Sequence, residues 1–467
     1  MNAEQSISDL SRALQSRTLT ASELVERCLT QIAQRDPDIN AYITVFADQA
    51  RADARVVDAE IAAGRYRGPL HGIPISLKDL IDVEGVSTTA ASRVRQNHVA
   101  GVDAPIVTRL RDAGAIIVGK TNLHEFAFGT TNEDSAYGVV HHPLDPNRSP
   151  GGSSGGSAAS VLAGMAVASI GTDTGGSIRI PAAACGLVGL KPALHEIPTA
   201  GVVPLSTTLD HVGPICRSVA DASLLYRALV GVGADNGLGV GRGSPSSVGV
   251  GVGRGSRSSP GVTGLRIGVL RDYFTSVLDP QVAHAFDATC AALVDAGARL
   301  DDVSIAHAGD ISAVYLHIVL TEAAAYHAIT LENRPDDYTA NVRIRLEMGR
   351  YILGEDYIRA FRGREVLRQE VDAALDGHDV LLLPSLAVPA TRLGVAMVKI
   401  GTTEEPVRNI TLRLTQLFNI TAHPAITLPC GTTIEGLPIG AQLVGHAGDT
   451  PALLDVASVV EGVLSRA

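Results

Sequence analysis

Two segments concentrate the chemistry of this chain: Ser149-Pro-Gly-Gly-Ser-Ser-Gly-Gly-Ser157 and Gly171-Thr-Asp-Thr-Gly-Gly-Ser-Ile-Arg-Ile-Pro181. Glycine at this density lets backbone amides and small hydroxyls crowd one point, as an acyl-transfer site requires. Gly175 and Gly176 lack a Cβ and can turn their amides toward a developing oxyanion. Ser153 and Ser177 stand 24 positions apart with no histidine between them, so a serine nucleophile here needs a base from elsewhere. The best candidate is Lys78 in His71-Gly-Ile-Pro-Ile-Ser-Leu-Lys-Asp-Leu-Ile81, where it interrupts an apolar run that reads as a buried strand. In water a lysine with a pKa of about 10.4 is almost wholly charged at pH 7, and desolvation that lowers it by about 3 units makes the amine a proton acceptor. Lys78 and the two serines then form a relay.

These residues resemble the amidase signature family, whose members hydrolyse carbon–nitrogen bonds with a Ser–cis-Ser–Lys triad. The likeness extends to Gly119-Lys-Thr-Asn122, Gly186-Leu-Val-Gly-Leu-Lys-Pro192 and Gly436-Leu-Pro-Ile-Gly-Ala-Gln-Leu-Val-Gly445, and so covers nearly the whole chain. It implies that Ser177 is the nucleophile, that Ser153 bridges from a cis peptide bond, and that Lys78 is the base. Backbone amides of Thr174, Gly175, Gly176 and Ser177 are the implied oxyanion hole. Ala127 matches the family position whose carbonyl faces the substrate, and Tyr137 lies on the same connecting stretch as a second expected contact. The implied fold is α/β, a central mixed β-sheet covered by helices on both faces.

Family members act on aliphatic and aryl amides, acylated amines, carbamates and urea-like compounds, and include the glutaminase chain of tRNA-dependent amidotransferases. The expectation for this chain is a self-sufficient hydrolase of a small-molecule amide-type substrate. A carbamate or urea-derivative hydrolase, the glutaminase chain of an amidotransferase with its partner, and a catalytically silent binding protein are the alternatives. An intact Lys78, Ser153 and Ser177 speaks against the last, since a binding module has no need of all three.

Each residue also has a plainer reading. A Gly/Ser run alone is commonly a linker; here Met165-Ala-Val-Ala-Ser-Ile170 follows directly, tying it to core structure. Asp173 and Arg179, opposite charges within one turn, brace the loop more readily than they perform chemistry, and Ser154 is grouped with them as support. Asp210-His211 is the one pair that spacing leaves open for a Ser–His–Asp arrangement. Gly114-Ala-Ile-Ile-Val-Gly-Lys-Thr121 satisfies the letter of a phosphate loop. Its interior is β-branched and apolar after a helical pattern, so it reads as helix, cap and buried strand, whose amides pair in a sheet.

Composition sets the bounds. The chain has 467 residues, 45% of them hydrophobic, enough for a large core. A formal charge of −11 without a basic stripe argues against nucleic acid. Five cysteines, scattered and without CxxC pairing, suggest neither a disulfide framework nor zinc, and no H-x-x-x-H pair appears. No metal or cofactor is expected. The acidic N-terminus lacks a signal-like apolar core, and the longest uncharged stretch, about 149–172, is broken by Gly and Ser, so the expectation is a cytoplasmic protein without a membrane span. Its apolar part reads as a buried helix. A homodimer is compatible with the chain.

Around the site, Thr20-Ala-Ser-Glu23 forms a capping box before apolar residues at helical spacing. Apolar runs at 73–77, 115–118, 265–270, 380–383, 425–428 and 439–444 alternate with amphipathic segments such as 282–293, the pattern of a sheet covered on both faces. One domain is expected: a helical region over about 1–65, a catalytic core over about 66–230, and a core-completing region over 265–467. Between them, 231–264 is a Gly/Ser-rich insertion carrying the near-repeat Val240-Gly-Arg-Gly-Ser and Val252-Gly-Arg-Gly-Ser256, with too few large apolar groups to offset the entropy of ordering.

Overall fold

The capping box forms as read: Thr20 Oγ1 accepts from the Glu23 amide at 3.1 Å and Glu23 returns a carboxylate oxygen to the Thr20 amide at 2.9 Å, opening the helix Ala21–Ile39. The computed structural model describes residues 5–231 and 261–466; the expected insertion, from 232 to 260, lies outside the described residues.

Thirteen strands follow in chain order: β1 (Tyr42–Val45), β2 (Pro74–Lys78), β3 (Ile116–Thr121), β4 (Ala168–Asp173), β5 (Val188–Lys191), β6 (His211–Cys216), β7 (Arg266–Leu270), β8 (Arg299–Val303), β9 (Val380–Pro384), β10 (Met397–Ile400), β11 (Thr403–Pro406), β12 (Ala425–Thr432) and β13 (Pro438–Val444). Eleven of them make one sheet, ordered β1-β3-β2-β4-β6-β5-β12-β13-β9-β7-β8, while β10 and β11 pair separately. The sheet is mixed. β2 lies parallel to β3 and β4, β7 parallel to β8 and β9, and the remaining neighbours are antiparallel. Every apolar run singled out in the sequence overlaps one of these strands, and residues 282–293 lie in the helix Pro280–Asp295. Helices cover the central strands, so β2, β3, β4 and β6 are buried along their whole length.

The phosphate-loop look-alike resolves as expected: the helix Pro105–Asp112, a turn at Gly114 with φ +82°, and β3. The apolar part of 149–172 corrects the sequence reading. Only Gly155–Leu162 is helical; Gly164, at φ +73°, turns the chain, and Ala168–Asp173 is a strand. An apolar run buried on every side carries no periodicity that separates helix from strand, and pairing with β2 and β6 made it a strand.

Among the described residues, Ala308–Asn333 is the helical stretch long and apolar enough to cross a membrane, with half of its apolar window buried within the protein.

Candidate active site

β2 and β4 run parallel, so their C-terminal ends open on the same edge of the sheet, where α/β proteins commonly place their ligands. Lys78 is the last residue of β2, and Thr172 and Asp173 close β4. The Lys78 side chain is fully buried and its Nζ lies 2.7 Å from Ser153 Oγ and 2.8 Å from Thr172 Oγ1. Among the described residues, no carboxylate pairs with it.

The neighbouring lysine shows what that omission does. Lys120, equally buried, pairs with Asp79 at 2.9 Å and so keeps a counter-charge. Lys78 has two hydroxyls instead. Burial pulls its pKa down to about 7, with Asp173 and Asp210 pulling weakly the other way from a distance. A large fraction of Lys78 is therefore a neutral amine near pH 7, with a lone pair to offer Ser153.

Ser153 is held in a loop anchored along its length. The Gly152–Ser153 peptide bond is cis. Ser149 Oγ donates to the Thr131 carbonyl at 2.6 Å, the Ser153 carbonyl accepts from the His124 amide at 3.1 Å, and the Gly155 amide reaches Asn132 Oδ1 at 3.0 Å. Ser154 joins the two glycine-rich segments: its amide donates to the Ser177 carbonyl at 3.3 Å and its hydroxyl to the Thr172 carbonyl at 3.2 Å. The Gly/Ser run is thus core structure.

Ser177 is 5% exposed, and among the described residues its hydroxyl has no hydrogen-bond partner. Of the relay expected from the sequence, the Lys78–Ser153 hydrogen bond is made and no Ser153–Ser177 hydrogen bond is made among the described residues. Hydrogen bonds of this kind commonly tighten only when a substrate is bound. Among the described residues the amides of Gly175, Gly176 and Ser177 also donate to no acceptor, which leaves three consecutive N–H groups beside the free hydroxyl. Gly176 sits at φ +139°, where an L side chain is strained, and a Cβ at Gly175 would stand 2.5 Å from Tyr315 Oη.

Asp173 and Arg179 form a bidentate pair, Nη2 to Oδ1 at 2.9 Å and Nε to Oδ2 at 3.0 Å, both fully buried. Arg179 also donates to Thr415 O, Gln442 Oε1 and Asn419 Oδ1, and Asn419 Nδ2 donates to Asp173. Burial alone would raise the Asp173 pKa. Together the Arg179 guanidinium, the Lys191 charge and the Asn419 amide outweigh burial and hold the carboxyl well below its ordinary range. Thr174 Oγ1 donates to Asp210 Oδ1 at 2.6 Å, and Asp210 Oδ2 accepts the Leu205 and Ser206 amides, so this carboxylate supports the loop and does not contact His211. His211 Nδ1 is taken up by the Leu209 carbonyl at 2.7 Å. The Asp–His arrangement left open by spacing is not assembled.

The family model for "Amidase" matches residues 23–454. The chain belongs to the amidase signature family. An amidase of Pseudomonas putida is 42% identical to it over 434 residues, covering 92% of this chain and 90% of that one. The A subunit of the glutamyl-tRNA(Gln) amidotransferase of Anaeromyxobacter sp. (strain K) is 38% identical over 474 residues, covering 95% and 93%. A crystal structure of an amidase superposes with a TM-score of 0.88 at 35% identity, covering 98% of this chain and 99% of that one. The protein is an enzyme, a hydrolase of carbon–nitrogen bonds.

Of the other residues singled out from the sequence of this amidase-family enzyme, Ala127 lines a cavity of about 70 Å³ beside Thr172, Thr174 and His211. Tyr137 is 37% exposed, its carbonyl accepting from Asn40, and it does not line that cavity. Sequence reasoning missed Thr172, Thr415, Asn419 and Gln442, and it weighed Asp210 as a partner of His211, whereas its carboxylate takes Thr174, Leu205 and Ser206. Gln442 had a signal, a lone amide in the apolar stretch 437–444. Among the described residues, no cluster of His, Cys, Asp and Glu could hold a metal ion.

Proposed function

We propose that this enzyme hydrolyses the carbon–nitrogen bond of a small-molecule amide through an acyl-enzyme on Ser177. Neutral Lys78 takes the Ser153 proton as Ser153 takes that of Ser177, and Ser177 Oγ attacks the carbonyl. The oxyanion meets the amides of the 174–177 segment. The proton returns through Ser153 to the leaving nitrogen, the amine departs, and water repeats the attack to release the acid. The observation that carries this reading is the placement of Lys78 Nζ on Ser153 Oγ with only hydroxyl partners. It gives a serine a base without a histidine.

The likeness to the glutaminase chain of an amidotransferase favours a second reading, a glutaminase that works with a partner chain. The experiment is hydrolysis of an aliphatic amide, an acyl anilide, an aryl carbamate and glutamine by the purified chain, beside Ser177→Ala. Turnover that disappears in the variant supports the self-sufficient hydrolase. Silence of the wild-type chain on all four substrates favours the partner-dependent reading, and turnover retained in Ser177→Ala rejects Ser177 as nucleophile.

A further inference from the structure

Arg408 lies over the ring of Phe128, next in sequence to the cavity-lining Ala127, and is a cation that no carboxylate answers among the described residues. It lies in the short helix Val407–Leu412 and is partly buried, and its guanidinium sits 6.0 Å from the centre of the Phe128 ring. Its Nε is sealed from solvent without an acceptor. Among the described residues its terminal nitrogens are unbonded as well, yet they are not sealed. A second guanidinium, Arg345, lies 5.9 Å from the same ring and spends one N–H on the Phe128 carbonyl at 2.6 Å. Neither arginine pairs with a carboxylate among the described residues. Two like charges therefore share one aromatic ring, and burial lowers the pKa of both. Asp134 offsets this weakly for Arg345 from a distance, whereas the single ionisable group that favours the Arg408 charge is Tyr315, whose Oη abuts Gly175 in the segment with the free amides.

A partly desolvated guanidinium is seldom left unpaired in a folded protein, because nothing then offsets its lost hydration. Arginine presents a planar fork that matches a carboxylate with two parallel hydrogen bonds. We infer that Arg408 binds a carboxylate of the substrate, so that this enzyme acts on amides bearing an anionic group a short spacer away from the scissile carbonyl. Phe128 lies under the Arg408 guanidinium and Tyr315 against Gly175. This inference rests on the proposed reaction for its chemistry, and its binding half is testable without turnover.

Two measurements address it. Turnover of succinamate is compared with that of uncharged pentanamide in the wild type, Arg408→Met and Arg408→Gln. The wild type should prefer succinamate, and the ratio of kcat/KM for the two substrates should fall about 10- to 100-fold in the variants, mainly through KM. Equal losses on both substrates, or no wild-type preference for the anion, would overturn the proposal. Thermal shift with glutarate in a Ser177→Ala background reads binding even if no amide is turned over. Glutarate should raise the Tm in that background and fail to do so once Arg408→Met is added. A shift that survives the loss of Arg408, or no shift in either protein, rejects the carboxylate site whatever the fate of the reaction scheme.

Discussion

Thr415 donates its hydroxyl to the Gly175 carbonyl at 2.6 Å across a sequence separation of 240 residues. That contact turns the Gly175–Gly176 peptide so that its carbonyl faces the protein and leaves the amides of the segment free. A side chain at 176 would disturb this twice, since φ is +139° there and a Cβ would collide with the Thr415 hydroxyl.

Gly176→Ala should therefore lower kcat by about 10²–10³-fold while the global fold survives, the loss expected when a donor of the proposed oxyanion hole is misplaced. Steady-state kinetics with circular dichroism checks this. Adding Thr415→Ala removes only the collision with the hydroxyl; the Cβ of residue 415 and Ile180 Cδ1, each 2.7 Å from a Cβ at 176, and the backbone strain all remain, so the double variant should stay impaired. Full recovery would show that the clash alone mattered.

Lys78 makes activity and stability move in opposite directions. As the proposed base, with a pKa of about 7, it should give kcat/KM an ascending limb centred there. Lys78→Met should abolish turnover yet raise stability. The unfolded lysine holds its proton up to about pH 10.4 whereas the folded one releases it near 7, so folding is penalised in full below pH 7 and the penalty fades as pH rises toward 10. The stability gain of Lys78→Met, read from urea denaturation, should accordingly be largest at or below pH 7, on the order of several kcal/mol, and shrink by pH 10. A gain independent of pH would refute the buried-amine account.

Asp173 and Arg179 should show the asymmetry of a buried ion pair. Arg179→Met strands the carboxylate and should destabilise by about 3–5 kcal/mol, and the double variant Asp173→Asn, Arg179→Met should recover part of that loss. Because the folded carboxyl titrates below its unfolded value of 3.8, its contribution in the wild type is present above that value and is lost as pH falls through the lower, folded one. Denaturation of the four proteins of the cycle at pH 7 and in steps from pH 4 down to pH 2 measures both effects. A double variant no better than Arg179→Met would show that packing, and not the stranded charge, sets the cost.

Much of the site was legible because its signals are local. Glycine density, two serines in a fixed spacing, a lysine inside an apolar run and a Thr–Glu capping box each depend on residues a few positions apart, and each appears in the structure where the sequence puts it. Strand runs bounded by turns were legible for the same reason. The stretch 165–172 was not, because uniform burial erases the periodicity that distinguishes helix from strand, and only its pairing partners decide.

What tertiary structure alone decided is electrostatic. The sequence by itself determined that Lys78 interrupts a buried run and that Lys120 follows another at 115–118; the fold buried both lysines, gave Asp79 to Lys120 and two hydroxyls to Lys78. It likewise brought Thr415, Asn419 and Gln442 from the far end of the chain onto Arg179, and left Arg408 without a partner among the described residues. A protonation state or an unanswered charge depends on which groups share a few ångströms of low-dielectric space. Residue order along the chain does not specify that distance, and packing does.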